Sequence, residues 1–237
     1  MMLYIRHVPG LRTTDIVKRT PFAVCLHTTG RGVPEKAAKT KRTAISVALD
    51  VYLASQKDHW GGPGYVIAHD GSVHQLAADT TRTQHVGSFG PNGEDRRAQC
   101  MSGAWTSLSW PAFVSAWKAA WPGKKHPWTL FPSRHPNTDL VGVEMIPIGS
   151  GVGGEPMRPG LLFTAAQHDA AAQLAIHIAQ TNGFPTGWWT GSRLLGHEDV
   201  SLDRQQKAGG WDPGFLRAAP YFDLAWVRRR IATLLDA

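Results

Sequence analysis

Cysteine is nearly missing from this chain. Cys25 and Cys100 are the only two in 237 residues, too few and too far apart for a disulfide framework or a thiolate zinc site. Both read as small buried hydrophobes. Long apolar runs are missing too: no stretch approaches the roughly 20 apolar residues needed to span a bilayer, so no transmembrane segment is expected. Arg6, His7 and Arg12 interrupt what would have to be the apolar core of a secretory signal between Met1 and Asp15, so no signal peptide is expected. Internal repeats and low-complexity linkers are absent, which leaves nothing to divide the chain. The glycine-rich segment 149–160 is not followed by a P-loop lysine and serine and reads as a loop, not a phosphate cradle.

What is present is the composition of a folded protein, with 42% hydrophobic and 18% charged residues and no region polar enough to stay disordered. Lys and Arg number 25 against 18 Asp and Glu, a net charge of +7. That sign favours a polyanionic partner: nucleic acid, anionic lipid and anionic cell-wall polymer all qualify. The basic residues are scattered, and no nucleic-acid-binding motif accompanies them, so nucleic acid is not the expected partner.

Several elements can be placed from pattern. Phe22 to His27, FAVCLH, reads as a buried strand running into a loop. Helical spacing of Ile45, Leu49, Tyr52 and Leu53 predicts a helix over about 35–56. Asp70-Gly71 predicts a hairpin joining strands at Tyr65 to Ala68 and Val73 to Leu76. Asp139 to Ile146, DLVGVEMI, reads as a further strand. Thr164 and Gln167 fit a capping box before an apolar stripe of Ala171, Leu174, Ala175 and Ile178 that stops at Asn182-Gly183. Asp223 is the expected cap of a last helix, whose Arg228, Arg229 and Arg230 fall towards its outer face. A segment at about 96–135 holds half of the ten tryptophans and reads as an insertion, either packed on the core or forming an aromatic wall beside a groove. The expected architecture is α/β, one domain over 1–237, with a central mixed β-sheet flanked by helices.

Among eleven histidines, position selects. His27 ends an apolar strand, and His197 follows Leu194-Leu195-Gly196 at a strand end or turn. Asp212 sits in the rigid turn Trp211-Asp212-Pro213-Gly214. Two histidines and a carboxylate from separate loops leave a fourth tetrahedral position on zinc for water, the arrangement of a catalytic site. Glu144 is the lone charge among apolar neighbours after Asp139, and period two puts it on one face with Gly142 and Ile146. A carboxylate on a mostly buried strand is either a structural ion-pair partner or a group whose pKa burial raises towards neutrality for proton transfer.

The order of these blocks resembles that of the type 2 N-acetylmuramoyl-L-alanine amidases, whose fold is shared with peptidoglycan recognition proteins and several phage lysins. FAVCLHTTG is similar to the family's strand ending in a zinc histidine, and YVIAHDGSVHQLA to its hairpin. Gln84-His85-Val86-Gly87 resembles Trp-His-Ala-Gly, and Asn137 with Val141-Gly142-Val143-Glu144 resembles Asn followed by Ile-Gly-Ile-Glu. Gly196-His197-Glu198-Asp199 and Asp212-Pro213-Gly214 resemble Gly-His-Arg-Asp and Asp-Pro-Gly.

The resemblance implies one zinc held by His27, His197 and Asp212, with Asp203 the alternative third ligand. It also implies hydrolysis of the amide between N-acetylmuramic acid and L-alanine, with Glu144 as general base. By the same resemblance His85 and Asn137 are substrate-binding residues, with His135 a weaker candidate, and Lys207 stands in for the family's basic residue, whose own position is Gly210. The family's tyrosine position is Pro63, so tyrosine assistance is not expected. The implied partner is peptidoglycan or a soluble muropeptide. Release in the manner of a phage lysin, injection by a secretion system with an immunity or delivery partner, and recycling of wall fragments all remain open, as does a binding module without catalysis.

Overall fold

In the computed structural model, described residues are 3–7, 19–28, 63–81, 83, 85, 136–146, 163–191, 193–197 and 222–236. In chain order they form β1 (Ile5–His7), β2 (Ala23–Thr28), β3 (Tyr65–Ile67), β4 (Val73–Gln75), a one-turn helix α1 (Pro136–Asp139), β5 (Leu140–Met145), α2 (Ala165–Thr181), a 3-10 turn at Trp188–Thr190, β6 (Leu194–Gly196) and α3 (Leu224–Leu235). The strands make one six-stranded sheet in the order β1-β4-β3-β5-β2-β6. Only the β3–β4 pair is antiparallel; β1–β4, β3–β5, β5–β2 and β2–β6 run parallel. The mixed sheet flanked by helices is the architecture that the sequence predicts.

β2 is buried at all six positions, which explains its apolar run: a parallel strand between two neighbours is covered on both faces. Alternation then sorts the side chains. Val24 and Leu26 join Val141, Val143 and Met145 in the core, together with Leu174 and Ile178 of α2 and Val227 and Ile231 of α3. Each fully buried Leu or Ile there contributes about 2 kcal/mol of transfer free energy. The other face of the same strands is left with Cys25 and His27 on β2, opposite Gly142 and Glu144 on β5.

Local chemistry fixes the ends. The hairpin turns at Gly71, where φ is +83°, a conformation that suits glycine. Thr164 Oγ1 accepts from Gln167 N at 3.1 Å and Gln167 Oε1 accepts from Thr164 N at 3.0 Å, the predicted capping box. The same two residues anchor the helix to the sheet: Thr164 Oγ1 donates to His69 O at 2.6 Å, and Gln167 Nε2 to Ile146 O at 2.6 Å. Asp223 accepts from Trp226 N at 2.7 Å, as expected of the cap of α3. The arginines of α3 differ from expectation, because two of them reach inward along their apolar stems. Arg230 pairs with Asp169 at 2.7 Å and Arg228 donates to Leu194 O at 3.0 Å, while Arg229 is exposed.

β1 and α1 were not anticipated. Three residues are too few to show a period, and α1 is a single turn ahead of a strand predicted to begin at Asp139. The predicted helix over 35–56, the glycine-rich segment and the tryptophan-rich insertion at about 96–135 lie outside the described residues.

Candidate functional site

Register assembles the site. His27 pairs with Glu144 across β2 and β5, and Leu26 pairs with Gly196 across β2 and β6, so the next position on that side is His197. His197, His27 and Glu144 therefore form one row over three adjacent parallel strands, at their carboxyl ends, where open α/β sheets bind ligands. The two imidazoles are 4.5 Å apart between ring centroids, tilted by 58°. His27 is fully buried and His197 nearly so, whereas Glu144 is partly exposed. Glu144 thus brings a partly exposed carboxylate to a row of buried imidazoles, the pairing of groups that proton transfer requires.

His85 stands against this row. Its Nδ1 lies 2.9 Å from His27 Nε2, the two rings meeting edge to face at 4.9 Å. Its Nε2 lies 3.1 Å from Leu140 O, and its backbone N donates to Asn137 Oδ1 at 3.0 Å. The ring rests directly on Gly142, where an added Cβ would stand 2.3 Å from His85 Cγ. Burial holds the His85 pKa well below its ordinary value, and charge on His27 and on Arg19 pushes the same way. Asn137 is 4% exposed, its carboxamide oxygen engaged by the His85 main chain. The two residues expected to contact substrate thus meet each other beside His27.

Arg19, which sequence reasoning missed, braces this corner. Its Nε donates to Asp79 O at 3.0 Å and its Nη1 to Asn137 O at 2.8 Å and Thr138 O at 3.3 Å. Leu140 O accepts from the same Nη1. Arginine suits the task because its fork reaches several carbonyls at once without losing its charge. Tyr65 is 1% exposed and donates to Asp79 Oδ1 at 2.6 Å. Burial and the Asp79 charge raise its pKa far above the ordinary value, so it is a neutral structural phenol.

A second donor group shares His27. The ligand atoms of Cys25, His27 and His85 all lie within 4.8 Å of one another. Cys25, expected to be a small buried hydrophobe, is fully buried. It is also two residues before His27 and so on its face, a placement that period two in FAVCLH could have shown. Imidazole nitrogen with thiolate or carboxylate is the donor chemistry of zinc. Asp212, Asp203, Lys207 and His135 lie outside the described residues.

The sequence model of the family described as N-acetylmuramoyl-L-alanine amidase matches residues 18–215. The chain belongs to this amidase family. The amidase match takes in His27, His85, Asn137, Glu144, His197, Lys207 and Asp212, and leaves out β1 and α3. Among solved structures, a mutant endolysin from Bacillus subtilis is similar in fold, with a TM-score of 0.50 at 11% identity, over 97% of this chain and 99% of that one. The endolysin amidase LysCS from Clostridium intestinale URNW aligns at 13% identity and a TM-score of 0.49, over 98% and 97% of the two chains. The Staphylococcus aureus hydrolase AmiA, solved with its ligand, aligns at 13% identity and 0.49, over 100% and 86%. No curated protein matches the chain. No helix among the described residues is long and apolar enough to cross a membrane.

Proposed function

We propose that the chain is a zinc-dependent N-acetylmuramoyl-L-alanine amidase that cuts the amide between the lactyl group of N-acetylmuramic acid and L-alanine in bacterial peptidoglycan. The observation that carries this reading is the row His197, His27 and Glu144 at the carboxyl ends of three adjacent strands. The donor chemistry fits zinc, since two buried imidazoles come from different strands. His27, His197 and Asp212 would hold the metal, Asp212 lying outside the described residues. When bound, zinc polarises the scissile carbonyl and lowers the pKa of a water to about 7.

The chain's own residues do the rest. Glu144 takes a proton from the attacking water as the new C–O bond forms at the lactyl carbonyl. As the C–N bond breaks, Glu144 returns that proton to the departing amine of L-alanine. Lys207 donates to the oxygen on which negative charge develops. Peptidoglycan is the proposed substrate and the net charge of +7 favours approach to an anionic wall. The chain acts on the wall after release in the manner of an endolysin or after injection.

Digestion of purified peptidoglycan tests the reading, with new chain ends identified by mass. Zinc-loaded wild type should release free L-alanine amino termini. Glu144→Gln, which keeps the shape and removes the base, should lose about 10²-fold or more in rate while binding zinc normally. New reducing sugars, or equal rates for the two proteins, would overturn the assignment.

A further inference from the structure

A metal-binding histidine ligates through one ring nitrogen, and the partner of its other nitrogen decides which one. We propose that His85 is the positioning residue that makes this choice for His27, an inference that rests on His27 being a metal ligand. Hydrogen-bond direction carries it. A carbonyl oxygen only accepts, so His85 Nε2, 3.1 Å from Leu140 O, carries a proton. His85 Nδ1 lies 2.9 Å from His27 Nε2, so that nitrogen of His27 is engaged by His85 and a metal on His27 is met by Nδ1. A ligating nitrogen carries no proton, so the His27 proton sits on Nε2 and is donated to His85 Nδ1. The relay runs from Leu140 C=O to His85 to His27, with a proton on Nε2 of each ring.

Three holds that are independent of any ligand keep His85 in this pose. Leu140 O fixes one end of the ring, Asn137 Oδ1 fixes the main chain at 3.0 Å, and Gly142 provides the floor, since any β-carbon there would overlap the ring at 2.3 Å. The glycine in DLVGVEMI and the buried Asn137 thereby acquire a shared reason: both seat His85. This differs from the substrate contact that the resemblance implies for the pair. The relay also explains why the ligand atoms of Cys25, His27 and His85 cluster without His85 being a ligand, because its Nδ1 is occupied by the His27 proton.

The test reads metal affinity and tautomer as well as turnover. Zinc affinity is measured by competition with a chromophoric chelator for wild type, His85→Phe, His85→Asn and His27→Ala, with urea unfolding of each apoprotein. His85→Phe keeps a ring over Gly142 but loses the acceptor, and should weaken zinc by about 10- to 100-fold. His85→Asn restores an acceptor near the Nδ1 position and should recover most of that loss. The apoprotein unfolding midpoints should not account for the difference. Nitrogen-15 spectra of the wild-type histidine rings need no substitution, and should show protons on Nε2 of both His27 and His85.

A proton on His27 Nδ1 overturns the proposal. So does normal zinc affinity in His85→Phe with a raised KM, which would make His85 a substrate contact. Equal loss in the Phe and Asn variants, with a thiolate-to-metal band in the cobalt protein that Cys25→Ser removes, would make His85 and Cys25 ligands. Normal zinc affinity in His27→Ala would instead refute the underlying reading of His27.

Discussion

Gly142→Ala adds a single methyl group, yet the structure assigns it a large cost. The β-carbon would lie 2.3 Å from His85 Cγ, 2.6 Å from Nδ1 and 2.7 Å from Cδ2. An ordinary contact of about 3.5 Å requires the ring to retreat by about 1 Å. The ring cannot do so in place, because its two nitrogens are held at 3.1 Å by Leu140 O and at 2.9 Å by His27. Overpacking of a closed site costs about 1–3 kcal/mol, and two lost hydrogen bonds add about 1 kcal/mol each. The alanine restricts the unfolded chain and gives back about 0.5 kcal/mol. A net loss of about 2.5–4.5 kcal/mol follows, which for a chain of this size lowers the melting temperature by roughly 5–18 °C. The assay is thermal and urea unfolding of the metal-free protein, repeated in a His85→Ala background where the ring is gone. There the methyl enters vacated space and should cost no more than about 0.5 kcal/mol, so the two substitutions couple by about 2 kcal/mol or more. Gly142→Ala within about 0.5 kcal/mol of wild type, or an equal cost in both backgrounds, would refute the packing argument.

Two further outcomes follow from the fold. Thr164→Ala removes both the cap of α2 and the bond to His69 O and should destabilise the protein by about 2 kcal/mol in urea unfolding; a change under about 0.5 kcal/mol would show that the cap is dispensable. Burial holds the His74 pKa below its ordinary value, with the Arg6 charge acting the same way and Asp70 opposing. The unfolded chain therefore binds that proton more strongly, and the stability is fully present above about pH 6.5 and declines as the pH falls below it, by at most about 1.4 kcal/mol per unit for one group. His74→Gln should flatten this decline between pH 6.5 and 5, and an unchanged slope would contradict the assignment.

What the sequence reveals here is what local physics decides. The capping box of Thr164 and Gln167 needs only four consecutive residues, and the Asp70-Gly71 turn needs two, so both were legible. β2 and β5 were legible because burial on both faces writes a continuous apolar run. His27 and His197 could be picked out as strand-end histidines, but that they stand 4.5 Å apart depends on a register that no local pattern carries. Arg19 was invisible because its partners are backbone carbonyls 60 and 118–121 residues away, and a carbonyl has no sequence signature. His85 drew its expected role from the blocks around it, while its neighbours in space come from β2, α1 and β5. Gly142 looked like an ordinary strand glycine until the ring above it was known.

The row at the site draws on residues 27, 144 and 197, and every strand pairing beneath it is parallel. Parallel neighbours cannot be joined by a tight turn, so each pairing closes a long loop and is slow to form. The histidines consequently come together only when the sheet itself closes, and no short fragment of the chain contains the row. Metal that binds this assembled row stabilises the native state alone, by about 4 kcal/mol at a thousandfold excess over its dissociation constant. If the row holds zinc as proposed, recovery of zinc binding after refolding is a clock for sheet closure, and chelation should pull first on the molecules in which that closure is least secure.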